Sequence, residues 1–262
     1  MIDCHTHTTF SFDGKSTAAD MAEKGKELDL KYMAFTDHCD RDYAKLYKYI
    51  DVRQLDAEKY LAAVTEMKNK YPFLAVGIEL GYSPLAETDY KRLPLEKFDY
   101  VINSVHTVNG LDCYNEEFFD GKSKEEAYVK YLKCVSDSVD ASYSFDTISH
   151  LGFVRKNAPY ENTGMPMDVF GDRIDEILKK IVEKGKTLEL NSNVKTHDFM
   201  PTAEILARYG ELGGENICFS SDAHLTARVG EMYKDAAELA KKLGFRYWTV
   251  YRERKMQKIK ID

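Results

Sequence analysis

The hydrophobic pattern of the chain alternates between short apolar runs and longer segments with helical spacing. The run FLAVGIEL at 73–80 is almost continuously apolar, which is typical of a strand covered on both faces of a parallel sheet. By contrast, Tyr60, Val64 and Met67 recur at helical spacing within 55–70. Strands are predicted at 1–6, 31–36, 73–80, 100–105, 145–149, 187–190 and 216–221. Helices are predicted at 17–29, 55–70, 124–136, 167–184, 202–212 and 227–243.

Local signals delimit some of these helices. Ser123 and Glu126 form a capping-box pattern before one helix, and Gly185 follows another as a typical C′ residue. Seven strand-then-helix units without a break in composition predict a single α/β barrel domain over residues 1–262. An open, doubly wound sheet is the alternative.

The segments between these units are longer than ordinary connections at two places. Residues 39–53 and 107–122 are predicted to be long loops, which often carry function. A further strand is predicted at 245–251, followed by a basic tail. Three loop tyrosines are candidates to line a substrate pocket, or else to form a tyrosine-rich surface: Tyr43, Tyr47 and Tyr114.

Composition and charge narrow the possible partners. The net charge of −7 over 262 residues argues against a nucleic-acid partner, which needs a basic face. No apolar run approaches the ~20 residues of a membrane span, and the start of the chain lacks the pattern of a secretion signal. The five cysteines are scattered without a Cys-x-x-Cys pair, which is typical of reduced thiols. We therefore expect a cytoplasmic protein that binds neither membrane nor nucleic acid.

The first strand carries a pattern typical of metal sites. His5 and His7 lie two residues apart, so their rings point to the same face of a strand. Two adjacent imidazoles are a good start to a transition-metal site, although such a pair is often structural. Asp13 follows in a stretch of turn-forming residues, and a turn there brings a carboxylate back beside the pair.

Other residues of the same kinds lie at the ends of the remaining predicted strands. Six of the seven histidines are at or just beyond a carboxyl end, as are two acidic residues: His5, His7, His38, His106, His150, His224, Glu79 and Asp222. In a parallel barrel these ends converge on one rim, where active sites are built. Each residue alone has a structural explanation, but their joint placement favours a shared site. Glu79 in an apolar strand needs a partner or an ion.

The number and kind of these side chains indicate a reaction. Imidazoles and carboxylates without an evident thiolate suit zinc, manganese or iron. The set exceeds the three or four ligands of one catalytic ion, so we expect two or three divalent ions. A carboxylate such as Glu79 can bridge two of them. Clustered ions activate a water and stabilise an in-line displacement at phosphorus. The predicted reaction is therefore hydrolysis of a phosphate ester.

The chain also resembles a known family. The motifs DCHTHTTFSFDG, TDH, GIE, SVH, SHLG and SDAH, in that order, look like those of the polymerase and histidinol phosphatase (PHP) family. The stretches FFDGKSKEEAYVKYL and SSDAHLTARVGEMYKDAAELAKKLGF are similar to bacterial histidinol-phosphate phosphatases. The resemblance runs from residue 3 to about 256. It implies a distorted (β/α)7 barrel with three metal ions at the carboxyl rim and a metal-bridging hydroxide as the nucleophile.

The resemblance further implies the ligands and the activity. The first ion would be held by His5, His7, Glu79 and Asp222, the second by Glu79, His106 and His150, and the third by Asp13, His38 and His224. Some family members have a histidine at the position of Asp13. The implied activity is hydrolysis of L-histidinol phosphate to L-histidinol and phosphate, in histidine biosynthesis. Another small phosphorylated metabolite or a nucleotide is the alternative substrate, and a non-catalytic PHP-like module is less favoured.

Two further residues are candidates for contact with the substrate. Arg155 follows His150 by five residues, and its guanidinium can bind a phosphate in a bidentate manner. The other interpretation of Arg155 is a surface charge. His197 is the one histidine away from a strand end, on the loop after the sixth strand. It is a candidate to protonate the leaving oxygen, or else an exposed loop residue.

Overall fold

A computed structural model describes residues 1–42, 54–193 and 197–262. Seven parallel strands form its centre. They are β1 (Ile2–Thr6), β2 (Tyr32–Phe35), β3 (Leu74–Gly81), β4 (Tyr100–Ser104), β5 (Thr147–Ile148), β6 (Thr187–Asn193) and β7 (Ile217–Ser220). Each strand pairs in parallel with the next one along the chain.

The sheet curls until its two ends meet. A parallel bridge joins Thr6, at the end of β1, to Ala223, just beyond β7. There the backbone N–H of His7 donates to the carbonyl of Ala223 at 2.8 Å. The predicted distorted (β/α)7 barrel is therefore confirmed, and the open doubly wound sheet is wrong. Consequently all seven carboxyl strand ends face one rim.

The helices lie between consecutive strands. They are α1 (Ala18–Glu27), α2 (Ala57–Lys70), α3 (Lys124–Val139), α4 (Met167–Glu183), α5 (Ala203–Glu211) and α6 (Tyr233–Lys242). The predicted capping box is present at α3, where Ser123 and Glu126 each bond the other's backbone N–H. Gly185 follows α4 with a φ of +61°, which suits glycine. Among the described residues, the structure contains no helix that is long and apolar enough to cross a membrane.

Short elements subdivide both predicted loops. His38–Cys39 extends β2 after an interruption and pairs in parallel with β3, which places His38 opposite Glu79. The prediction of one long loop at 107–122 is wrong, since this segment holds two short antiparallel strands and a helix. These are Thr107–Val108, Leu111–Asp112 and Glu116–Phe119. Residues 43–53 of the other predicted loop, with Tyr43 and Tyr47, lie outside the described residues.

The end of the chain differs from its prediction. The expected strand is present as β8 (Tyr247–Arg252), but the expected basic tail forms β9 (Lys255–Lys260), which pairs with β8 in a hairpin. The helix expected at 227–243 begins only at Tyr233, because Gly230 and Met232 have φ values of +69° and +63°. Such left-handed residues interrupt a right-handed helix.

The hairpin covers the amino end of the barrel. The Arg252 side chain donates to the carbonyls of residues 72–74, just before and at the start of β3. The Tyr251 hydroxyl pairs with Thr187 at the start of β6, and its carbonyl accepts from the Tyr32 hydroxyl at the start of β2. Trp248 of β8 is fully buried. The amino end of the barrel is thus closed, and the histidines and acidic residues of the candidate site lie at the carboxyl end.

Candidate metal centre

Glu79 lies at the centre of a cluster of imidazoles on the carboxyl rim. It sits in β3 with no solvent exposure. Five ring nitrogens approach its carboxylate: His38 Nδ1 at 2.8 Å, His5 Nε2, His106 Nε2 and His150 Nε2 at 3.2 Å each, and His7 Nε2 at 3.6 Å. His5, His7 and His38 face Oε2, whereas His106 and His150 face Oε1. The two oxygens therefore serve two sets of rings, as a bridging ligand does.

Two more carboxylates complete the cluster. Asp222 Oδ1 lies 3.2 Å from His7 Nε2 and 3.8 Å from His5 Nε2. Asp13 Oδ2 lies 3.1 Å from His224 Nε2 and 3.7 Å from His38 Nε2. The structure thus brings together all nine side chains that were expected to hold metal. They come from segments at the ends of β1, β2, β3, β4, β5 and β7.

The spacing and the unpaired atoms of this cluster fit metal ions. Two nitrogen or oxygen ligands at ~2.05 Å from a tetrahedral ion lie about 3.3 Å apart, close to the separations seen here. Within the described residues, several buried atoms have no hydrogen-bond partner, among them His5 Nε2, His7 Nε2, His38 Nδ1 and Glu79 Oε2. Leaving such atoms unpaired is costly, and an ion at each point of convergence would satisfy them.

Four triads in the described residues offer ligand atoms within 4.8 Å of one another. They are His7/His38/His224, His5/His7/Asp222, His38/Asp40/His106 and Glu79/His106/His150. The neighbouring triads share residues, so the ion positions that they define are close together. This arrangement suits a multinuclear centre better than separate mononuclear sites.

The opposite nitrogen of several rings is held by an acceptor. His5 Nδ1 lies 2.6 Å from Glu189 and His106 Nδ1 lies 2.8 Å from Asp40. His7 Nδ1 contacts the Ser11 hydroxyl, and His224 Nδ1 contacts the carbonyl of Asp222. An acceptor at Nδ1 places the proton there and leaves the lone pair on Nε2. In all four rings Nε2 faces the centre of the cluster.

Opposing charges shift the pKa values of the cluster. Burial lowers the pKa of His5, but Glu79 and Glu189 together outweigh it and hold that pKa well above the usual range. Glu79, Asp13 and Asp40 together do the same for the pKa of His38. Burial likewise lowers the pKa of His106, yet Asp40 and Glu79 raise it to about 10. The pKa of His7 is well below its usual range because of burial and the neighbouring His224 and His38 rings. Without an ion, these three imidazoles therefore carry a second proton, which a bound ion would displace.

Comparison with known proteins agrees with this geometry. The family model of the PHP domain matches residues 3–193. The chain belongs to the PHP family. A probable histidinol-phosphatase of Clostridium acetobutylicum is 27% identical to it, over 98% of this chain and 99% of that protein. A histidinol-phosphatase of Lactococcus lactis is 27% identical, over 99% of this chain and 97% of that protein.

A solved structure confirms the PHP fold. The crystal structure of histidinol phosphate phosphatase from Lactococcus lactis, complexed with zinc, L-histidinol and phosphate, superposes with a TM-score of 0.86. It is 24% identical to this chain, and the alignment covers 98% of each.

Arg155 and His197 are the two residues that were expected to contact the substrate. The Arg155 guanidinium donates to Asp198 Oδ2 at 2.8 Å and to the carbonyl of Thr163 at 3.1 Å. His197 is exposed, with a φ of +48°. Tyr114 is 38% exposed, and its ring centroid lies 6.2 Å from that of Phe153. Phe153 in turn packs beside His106 and His150, so Tyr114 lies near the rim.

Three residues of the site were not singled out from the sequence. Asp40 and Glu189 hold ligand rings, and Lys156 Nζ lies 3.1 Å from Asp222 Oδ2. A signal was present for Glu189, since it is a carboxylate inside the apolar strand TLEL, just as Glu79 is in GIEL. Asp40 and Lys156 lie in polar segments, where one charged residue does not stand out from the next.

Proposed function

We propose that this PHP protein is a metal-dependent phosphomonoesterase that hydrolyses L-histidinol phosphate to L-histidinol and phosphate. The observation that carries the proposal is the buried Glu79 carboxylate. Five imidazoles face it, and several of their ring nitrogens have no hydrogen-bond partner among the described residues. Two relatives that match nearly the whole chain are named histidinol-phosphatase, and this supports the choice of substrate. The structural neighbour complexed with zinc, L-histidinol and phosphate supports it further.

We assign the ligands in three groups. One ion would be held by His5, His7, Glu79 and Asp222, a second by Glu79, His106 and His150, and a third by Asp13, His38 and His224. The donors are nitrogen and oxygen atoms, which suit zinc, manganese or iron. Bound ions of this kind supply an activated water at neutral pH and neutralise charge on the phosphoryl group. We further propose that residues 1–262 act as one domain in the cytoplasm.

The remaining steps fall to side chains of the rim. Lys156 reaches the cluster directly, and Arg155 precedes it as the last residue of the short 3₁₀ helix Phe153–Arg155. We propose that Arg155 binds the phosphate, with Asp198 orienting its guanidinium. His197, exposed before the short strand Asp198–Met200, would protonate the leaving oxygen. Arg155→Ala should raise KM for the phosphate ester about tenfold, whereas the exposed Arg92→Ala should leave it unchanged. An unaltered KM in Arg155→Ala would exclude the phosphate-binding role.

The direct test measures phosphate release from L-histidinol phosphate and from a generic aryl phosphate, with metal content determined on the same sample. We expect selective release from L-histidinol phosphate with two to three ions per chain. The controls are chelator-treated protein and Glu79→Gln. Metal-replete protein that releases phosphate no faster than these controls would refute the proposal. Slow hydrolysis of both esters would instead favour another small phosphorylated metabolite, to be sought with a substrate panel.

A further inference from the structure

Glu189 connects two of the proposed ion sites without facing either ion position. It lies in β6, opposite Cys218 of β7, and has no solvent exposure. Four groups surround its carboxylate: Oε1 contacts His5 Nδ1 at 2.6 Å and Ser220 Oγ at 2.7 Å, while Oε2 contacts the His150 backbone N–H at 2.5 Å and Asn191 Nδ2 at 3.2 Å. Each oxygen therefore accepts two hydrogen bonds, one of them from a proposed metal ligand.

The contact with His5 determines which ring nitrogen faces the cluster. A carboxylate accepts but does not donate, so His5 must carry a proton on Nδ1. In the neutral ring that binds an ion, the lone pair of His5 is then on Nε2, which lies 3.2 Å from Glu79 and 3.8 Å from Asp222. Carboxylate–histidine pairs of this kind hold a metal-binding ring in one orientation.

The contact with His150 acts through the backbone instead. His150 has a φ of +20°, which is unfavourable for a residue with a side chain. Its N–H donates to Glu189 Oε2, and this bond holds the backbone in that conformation. The ring of His150 then projects towards Glu79 Oε1 at 3.2 Å. One carboxylate thus positions a ring in the first proposed site and a main-chain segment in the second.

We propose that Glu189 is a positioning residue that couples the two ion sites sharing Glu79. This inference rests on the proposed metal centre, but it does not depend on which phosphate ester is hydrolysed. Glu189 fixes the tautomer of His5 and the backbone of His150 together. Occupation of the two sites should therefore weaken together when Glu189 is changed.

Glu189→Gln separates this role from simple filling of space. The glutamine amide has nearly the shape of the carboxylate but only one accepting oxygen. With that oxygen towards His5, its NH₂ group opposes the donors of His150 and Asn191. With the amide reversed, the NH₂ group forces the proton of His5 onto Nε2 and removes its lone pair from the cluster. Either orientation disables one ligand, although the side chain still fits.

The first experiment is competition between a chelator and the protein for Zn²⁺, with bound metal counted per chain. Relative to wild type, Glu189→Gln should hold the two coupled ions at least about tenfold more weakly, which is the usual scale for such supporting groups. The melting temperature of the metal-free variant should fall, because the amide leaves buried donors unpaired, but by no more than that of metal-free Asp146→Asn. Asp146→Asn is the matched control, since it changes a buried carboxylate at the closed end. It should lower the melting temperature and leave zinc retention unchanged.

The outcomes distinguish this inference from the proposed function. Wild-type protein that retains no zinc would refute the metal centre itself. Zinc retention by Glu189→Gln equal to that of wild type would overturn only the role of Glu189. Zinc lost only because the metal-free Glu189→Gln protein is unfolded at the assay temperature would assign Glu189 to folding and would also overturn it.

A measurement on unmodified protein keeps the inference open to refutation if the variant does not fold. Nitrogen-15 NMR of the zinc-loaded wild type reports the tautomer of each imidazole. We expect His5 to carry a slowly exchanging proton on Nδ1 and to bind through Nε2. Binding through Nδ1 would overturn the proposal. In Glu189→Gln, weakened zinc binding with unchanged His5 and His150 signals would assign the effect to lost charge and would equally overturn it.

Discussion

The two ends of the barrel bury carboxylates in opposite ways. At the amino end, Asp99 accepts from the backbone of Val76 and Glu253 and from Lys68, and Asp146 accepts from Val101 and Arg254. At the carboxyl rim, Glu79 Oε2 and several facing nitrogens have no hydrogen-bond partner among the described residues. A satisfied buried carboxylate stabilises the fold. An unsatisfied cluster held by the same scaffold indicates function.

Both ends of the barrel contain residues with strained backbone, but the strain serves function at the rim and structure at the closed end. At the rim, His150 and Asp222 have φ values of +20° and +52°, and both are proposed ligands. At the closed end, Glu253 and Arg254 have φ values of +50° and +61° in the hairpin turn. The rim strain aims side chains at a common point. The strain in the hairpin turn serves only a structural contact. A substitution that relieves it should therefore not reduce activity.

The largest expected effect comes from Glu79→Gln. This change removes the carboxylate that faces two sets of imidazoles, so we expect a loss of kcat/KM of roughly 10³-fold or more and of metal from two sites. The metal-free variant should be less stable than metal-free wild type, because the buried imidazoles lose the carboxylate that compensates their charge. Kinetics, metal analysis and thermal unfolding on the same samples check this. Near-normal turnover would contradict the bridging role.

The closed end should respond to Asp146→Ala with lost stability and retained chemistry. The Asp146–Arg254 pair is bidentate and largely buried, with side-chain exposures of 9% and 16%. Removing one partner of such a pair costs about 3 kcal/mol. Urea unfolding should show that loss, while kcat per folded molecule stays unchanged.

A neighbouring exposed pair provides the control for this change. Asp140→Ala removes an exposed partner of Lys180 and should cost less than about 0.5 kcal/mol. Equal losses in the two variants would mean that burial at the closed end adds nothing to the ion pair.

The pH dependence of metal binding should distinguish the rim from ordinary exposed histidines. The pKa of His106 is raised to about 10, and those of His5 and His38 are also raised. A protonated imidazole cannot bind an ion, so zinc affinity should keep rising with pH above 7 and towards 10. Chelator competition at several pH values measures this. Affinity that levels off just above pH 6.5, as unperturbed imidazoles require, would contradict the coupling to Glu79 and Asp40.

Much of the site could be predicted because metal chemistry limits the choice of residues. Histidines and acids at strand ends, such as His106 and Asp222, indicate a rim once a parallel barrel is predicted. The orienting groups were harder to find. Asp40 acts on His106 across 66 positions of sequence, and no local pattern records such a pairing. No local pattern records the contact between Lys156 and Asp222 either.

The barrel was also easier to predict than its closure. Alternating apolar runs and helical segments are local patterns, and they led to seven strands. The strand β9 was missed because KMQKIK is mostly polar and the turn before it lacks glycine or asparagine. The turn residues Glu253 and Arg254 donate hydrogen bonds to Asp99 and Asp146, which lie far away in the sequence. Tertiary contacts therefore stabilise a turn that local preference does not favour.

The smallest expected effect tests that last point. Glu253 and Arg254 form a two-residue turn between the paired positions Arg252 and Lys255, and both have positive φ. Asparagine tolerates this conformation better than glutamate does, and the backbone N–H that donates to Asp99 is kept. Removing the glutamate side chain should cost little stability. It pairs with Lys255, but it is 77% exposed, and such exposed ion pairs contribute little.

Glu253→Asn should therefore raise the free energy of unfolding by about 0.5–1 kcal/mol, measured from the urea midpoint. Glu161→Asn is the control, since it makes the same replacement at an exposed position whose φ is not positive. It should stay within about 0.5 kcal/mol of wild type. Equal stability of both variants would show that the turn carries no removable strain. Zinc retention should not change in either, because strain at the closed end is separate from the strain that aims His150 and Asp222 at the rim.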